Sequence, residues 1–75
     1  MITTTDISLK LAEAIRQSGM SQQEIAKRIG VKQQQISSYL KGKTLPALDT
    51  LANLCNVLEL DANDILCLKS NFVKD

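Results

Sequence analysis

The residues able to do chemistry in this sequence are few, and the missing ones constrain it most. There are two cysteines, Cys55 and Cys67, and no histidine. Structural zinc normally needs four N or S ligands, so two thiols do not build such a site within the chain. Histidine is the commonest general base, and without it no convincing set of nucleophile, base and orienting group can be assembled. No catalytic, cofactor-binding or metal-ligating residue is expected, and the chain reads as non-enzymatic. Two cysteines without an export signal do not make a disulfide framework. They are expected to be buried thiols packing as small hydrophobes. Amides, hydroxyls and amines are concentrated in the run Lys32-Gln33-Gln34-Gln35, in Ser37-Ser38, and in Lys41 and Lys43.

Length and composition bound what such groups can belong to. The chain has 75 residues, 44% of them hydrophobic. That allows one domain, 1–75, close to the lower limit for folding on a single core. It leaves no room for an enzyme with separate substrate and cofactor lobes. No stretch approaches the roughly 18 apolar residues of a membrane span. Met1 to Asp6 lacks the basic and apolar regions of a signal peptide, so the expected location is cytoplasmic. The net charge is only +1, which by itself speaks against a nucleic-acid partner. The distribution says otherwise. Ser21 to Lys43 holds Lys27, Arg28, Lys32, Lys41 and Lys43 against Glu24, a net +4. Thr44 to Asp75 holds two lysines against five acids, a net −3, and the first twenty residues balance. The total is a cancellation, and such a dipolar chain is oriented by a polyanion as it approaches.

The elements that position these groups are helices. Gly19, Gly30, Gly42 and Pro46 are the only glycines and proline, and each falls between apolar-periodic segments, where helix ends belong. No segment alternates long enough for a strand. The first helix is expected from Asp6 to Ser18, capped by Thr5 or Asp6, with Ile7, Leu11, Ala14 and Ile15 on one stripe. The second begins at Ser21, where Ser21-Gln22-Gln23-Glu24 reads as a reciprocal capping box, and buries Ile25, Ala26 and Ile29. The third runs from Lys32 to Leu40 with Ile36, Tyr39 and Leu40 inward. The fourth follows Pro46 to Leu58, with Leu48, Leu51, Ala52, Cys55 and Leu58 at helical spacing and Leu54 and Val57 widening the stripe. The fifth starts at Asp61 and carries Ile65, Leu66 and Leu68. Residues 69–75 are expected to fray. The fold class is all-α, a compact bundle of five helices.

The second and third helices carry the function. Ala26 is small where two helices must approach closely, and Gly30, four residues on, suits a turn with positive φ. Ile25, Val31, Ile36 and Tyr39 are placed to hold the pair together. This is helix-turn-helix spacing, with the motif over 21–41. The run Ser18-Gly-Met-Ser-Gln-Gln-Glu-Ile-Ala-Lys-Arg-Ile-Gly-Val-Lys-Gln-Gln-Gln-Ile-Ser-Ser-Tyr-Leu-Lys-Gly-Lys43, followed by Pro46, Leu48 to Ala52 and Leu58 to Leu66, resembles the phage repressor and Cro type of helix-turn-helix domain, the xenobiotic-response-element class with a lambda-repressor-like fold. With the first helix the resemblance covers nearly the whole chain.

The resemblance implies sequence-specific binding of double-stranded DNA by a small transcriptional regulator, a repressor type among them, with the third helix, 32–40, in the major groove. Gln33, Gln34, Ser37, Ser38 and Lys41 share one polar strip opposite Ile36 and Leu40. Gln33 and Gln34, at its N-terminal end, are the expected base contacts together with Ser37 and Ser38. Glutamine pairs bidentately with adenine, a contact worth about 1–3 kcal/mol of discrimination. Gln35 points more sideways and is a poorer reader. Gln22, Lys32, Lys41 and Lys43 match phosphate-contact positions, whereas Lys27 and Arg28 serve solubility or DNA contact about equally well. The expected partner is a palindromic operator bound by a homodimer in the nucleoid, with no cofactor and no membrane.

The chain departs from the family at two places. Many members carry Arg four residues before the glycine ending the first helix, paired with a Glu late in the third helix. Here these positions are Ile15 and Leu40, which are expected to touch, an apolar exchange that is often neutral or stabilising. Ala47 stands where a capping Ser is common, at a cost of ~1 kcal/mol unless Thr44 or Pro46 compensates. The alternative reading is a protein-interaction module, such as an antitoxin or co-regulator, binding through Leu54, Val57, Leu60, Leu68, Phe72 and Val73. These residues are also the dimer candidates, and they equally well close the monomer core. A third reading is the isolated DNA-binding domain of a longer repressor.

Overall fold

A computed structural model describes residues 1–68 of the chain. Among the described residues there are five helices and no strand: α1 (Thr4–Gln17), α2 (Gln22–Ile29), α3 (Gln33–Leu40), α4 (Leu48–Leu58) and α5 (Ala62–Ile65). The all-helical bundle expected from the punctuation is what forms. The expected fraying of 69–75, and Phe72 and Val73 as surface candidates, lie outside the described residues.

Helix α1 starts earlier than the apolar stripe suggests. Its cap is Thr3, not Thr5 or Asp6. The Thr3 hydroxyl accepts from the Asp6 N–H at 3.2 Å, and the Asp6 carboxylate accepts from the Thr3 N–H at 3.0 Å. Asp6 is thus the third residue of a reciprocal box rather than the cap itself. In α2 the expected box forms only by half. The Ser21 hydroxyl accepts from the Glu24 N–H at 3.1 Å, but the Glu24 carboxylate turns forward to Arg28 Nε at 2.7 Å. A cation one turn on competes with the neutral N–H behind it, and charge-assisted bonds are the stronger kind.

The core is a single cluster of Leu11, Ile15, Ile25, Ala26, Ile36, Tyr39, Leu54 and Ile65. Helix α3 lies against both α1 and α2, α4 against α2, and α5 against α1. The recognition segment is therefore clamped from two sides. Ile15 is buried, and Leu40 packs half-buried against the same cluster. Both apolar replacements thus face one core, as an exchanged ion pair should.

Helix α4 is rotated from its expected setting. Leu48 is 85% exposed and Ala52 is exposed, while Leu54 is wholly buried. The seam that meets the core is Leu51, Leu54, Cys55 and Leu58. These are spaced by three and four residues, and the first-turn Leu48 lies outside that seam. Leu54 is therefore a core residue, and its assignment to a partner surface is corrected. Leu60 is half-buried against the core, Val57 is half-buried, and Leu68 is exposed. The thiols also differ from expectation, since Cys55 and Cys67 are both free and only half-buried. Ala47 gives α4 no side-chain cap. Thr44 takes no first-turn N–H either. Asp49 takes one, its carboxylate accepting from the Thr50 N–H at 2.8 Å. Asp61 caps α5 as expected, accepting from the Asn63 N–H at 3.0 Å.

Candidate nucleic-acid interface

The turn between α2 and α3 sets the angle at which α3 is presented. Gly30 sits at φ 75°, ψ 34°, in the left-handed region. There the N–H groups of Gly30 and Val31 both donate to the Ala26 carbonyl, at 2.9 and 3.0 Å. A Cβ on Gly30 would meet nothing within 4 Å, so the demand for glycine is the backbone angle alone. Lys32 then returns to extended backbone and α3 begins.

The three glutamines at the start of α3 divide their work. Gln35 folds back and accepts from the Lys32 N–H at 3.3 Å. Lys32 has no side-chain acceptor to complete a box, so this glutamine alone closes the helix start. Gln33 and Gln34 are exposed and form no side-chain hydrogen bond among the described residues. Their amides are left for an outside partner at the N-terminal end of the helix. Ser37 and Ser38, expected on the same outward strip, are half-buried. Gln34 and Ser38 line one open concavity of about 440 Å³ with Thr44 and Thr50, so this side of α3 is a groove wall rather than a free ridge.

The cations stand at both ends. Lys32 is exposed just before α3, and Lys41 and Lys43 are exposed just after it. Gly42, at φ 73°, turns the chain so that its own N–H donates to the Tyr39 carbonyl at 3.2 Å and that of Lys43 to the Ser38 carbonyl at 3.0 Å. This glycine-based helix ending fixes the backbone that carries both lysines. A Cβ on Gly42 would stand 3.2 Å from Ser8 Oγ on α1, so the turn also lies tight against the first helix. Lys41 and Lys43 line a second open concavity, about 480 Å³, with Thr4, Thr5 and Ser8.

Gln22 is the first residue of α2 and is half-buried. The Ser21 hydroxyl takes only the Glu24 N–H, which leaves the earlier N–H groups of that helix for an anion. Of the two cations with an open role, Arg28 is paired to Glu24 and Lys27 is exposed with no ion pair among the described residues. The Arg28 hydrogen bond, then its charge, hold the Glu24 carboxyl below the ordinary range, so the motif's one acid is already matched.

Two contributors escaped the sequence reading. One is the capping role of Gln35, which lacks the Ser or Thr at the cap that marks a box. The other is Arg16, whose Nη2 donates to the Leu40 carbonyl at 3.3 Å. It stands one position after Ile15, where the family's arginine is missing.

Among the described residues no group of three or more His, Cys, Asp or Glu could hold a metal ion. No described helix is long and apolar enough to cross a membrane. Two short helices joined by a left-handed glycine, with an amide-bearing second helix flanked by lysines, define a helix-turn-helix domain of the DNA-binding kind. The chain belongs to the Cro/C1-type helix-turn-helix family, whose match spans residues 6–65. Its general role is that of a DNA-binding transcription regulator, with double-stranded DNA as partner, and this family is a regulatory one rather than an enzymatic one. No match was found among curated proteins or among solved structures.

Proposed function

We propose that residues 1–75 act as one sequence-specific regulator that docks α3, with Lys32 at its head, in the major groove of its operator. The observation that carries this reading is the division among the glutamines. Gln35 is spent on closing the helix, while Gln33 and Gln34 are exposed and unengaged at the end that meets base edges in this docking mode. Either amide suits the N6 and N7 edge of adenine. Ser37 and Ser38 are shorter and half-buried, and Ser38 contacts a base only where the duplex closes against the groove beside Thr44 and Thr50.

Phosphate contacts supply affinity and register rather than sequence preference. Gln22 with the free N–H groups of α2 serves one strand, as does Lys32. Lys41 and Lys43 grip the backbone past the far end of α3. The acidic C-terminal half faces away from the duplex. Binding is by a homodimer in the cytoplasm, on palindromic half-sites roughly 34–36 Å apart. Its two-fold surface draws on exposed apolar side chains, Leu48 foremost, and not on Leu54.

One observation favours the alternative of a protein-binding module acting beside DNA binding. Leu48 borders an apolar cavity of about 150 Å³ formed with Leu45, Pro46, Leu51 and Leu66, and such a patch suits an apolar partner side chain. Selection of duplexes from a random pool separates the readings. A palindromic consensus supports operator binding, and recovery of unrelated sequences contradicts it.

A further inference from the structure

Each of the last four carbonyls of α3 has a partner, and one partner comes from another helix. The Lys41 N–H donates to the Ser37 carbonyl at 3.0 Å, Lys43 to Ser38 at 3.0 Å and Gly42 to Tyr39 at 3.2 Å. The backbone beyond Gly42 leaves the Leu40 carbonyl over. Arg16 Nη2 on α1 takes it at 3.3 Å. A helix C-terminus carries partial negative charge, which draws a guanidinium to this point. Arg16 is exposed and forms no ion pair among the described residues. A guanidinium has five N–H donors in a planar fork, so most of them remain for another acceptor. Leu40 immediately precedes Lys41, so the guanidinium stands at the same end of α3 as Lys41 and Lys43.

We infer that Arg16 is a phosphate contact of the DNA interface, held in place by the Leu40 carbonyl and forming one clamp with Lys41 and Lys43. The inference rests on the docking proposed above. The carbonyl fixes the guanidinium against the recognition helix, and the remaining donors meet a backbone phosphate in the forked geometry that suits arginine better than lysine. A cation from α1 thereby ties the orientation of α3 to the strand it lies beside.

The test is the salt dependence of binding to one selected duplex by the full chain, Arg16→Gln, Arg16→Lys and Lys43→Ala. Lys32, Lys41 and Lys43 alone give a log–log slope of about −2.7 per protomer, and Arg16 brings it to about −3.6. Arg16→Gln is expected to move the slope toward zero by about 0.9 per protomer without changing the order of preference among related duplexes. Arg16→Lys is expected to keep the slope, because it keeps the charge, and to bind more weakly at every salt concentration because the fork is lost. A purely structural role would move stability and leave the slope alone. If Lys43→Ala lowers the slope and Arg16→Gln does not, the assignment of Arg16 fails by itself. If neither variant changes it, the proposed docking fails and takes Arg16 with it.

Discussion

Replacing Glu59 with glycine is expected to make the protein more stable, although Glu59 contributes nothing to the apolar core. Helix α4 ends at Glu59 with φ 56° and ψ 47°, a left-handed conformation whose cost for an L-residue is roughly 1–2 kcal/mol. The position cannot relax, because the turn lets the Leu60 N–H reach the Cys55 carbonyl at 2.8 Å and so closes the helix. Glycine removes that cost but returns about 0.4–1 kcal/mol through the greater freedom of the unfolded chain. The net gain is about 0.5–1 kcal/mol. For a domain of this size 1 kcal/mol moves Tm by about 4–8 °C, so Glu59→Gly should melt about 2–8 °C higher by far-UV circular dichroism. Glu59→Ala removes the same charge and keeps the left-handed strain, and it should stay within about 0.5 kcal/mol of the parent. Equal melting temperatures for the glycine and alanine variants would refute the reasoning, because charge and not backbone angle would then govern the site.

Gly30→Ala reverses that arithmetic in the motif itself and should lower Tm by about 4–8 °C, a loss of about 1 kcal/mol; since no atom stands in the way of a Cβ, an unchanged melt would remove the backbone explanation of this glycine. The pH dependence turns on Cys55. Burial first, and the charge of Asp61 second, raise its thiol above the ordinary 9.0. A raised thiol leaves stability intact below the unfolded-state value and costs stability as pH climbs from there toward the folded value. Denaturant midpoints should therefore hold through neutral pH and decline above about pH 9, and more steeply in the parent than in Cys55→Ala. Parallel curves for the two proteins would contradict it.

Much of the fold was legible because its breaks are carried by residue types with one strong preference. Gly19, Gly30 and Gly42 all take positive φ, and each was placed at a helix end from sequence. What failed were positions whose preference is set by a neighbour. The fourth helix does end at Leu58 as expected, but nothing in the residue type marks Glu59 as left-handed, an angle tied to the turn that joins the Leu60 N–H to the Cys55 carbonyl. Leu54 and Leu48 are the same residue type on one helix. Which of them is buried depends on the seam α4 presents to the core, and periodicity alone left both possible. Thr3 was overlooked because Asp6 is a credible cap by itself.

The candidate interface shows the same division. The exposure of Gln33, Gln34 and Lys41 followed from helical spacing opposite Ile36 and Leu40, while Lys32 and Lys43 were pointed to by the family resemblance. The half-burial of Ser37 and Ser38 did not; Ser38 lines a concavity with Thr44 and Thr50, which follow α3 in the chain. Arg16 was invisible for another reason. Its partner is a backbone carbonyl 24 residues away, and a carbonyl leaves no mark in a sequence.

The central claim is that α3 reads bases through the amides of Gln33 and Gln34. The direct measurement is selection of duplex DNA from a random pool by the parent and by Gln33→Ala, with affinities then taken for every base at each selected position. The account predicts a palindromic site in which Gln33→Ala loses about 1–3 kcal/mol of discrimination at one adenine-bearing position per half-site, while discrimination elsewhere is kept. An identical preference profile for the two proteins would contradict it, because the base contacts would then lie elsewhere on the molecule.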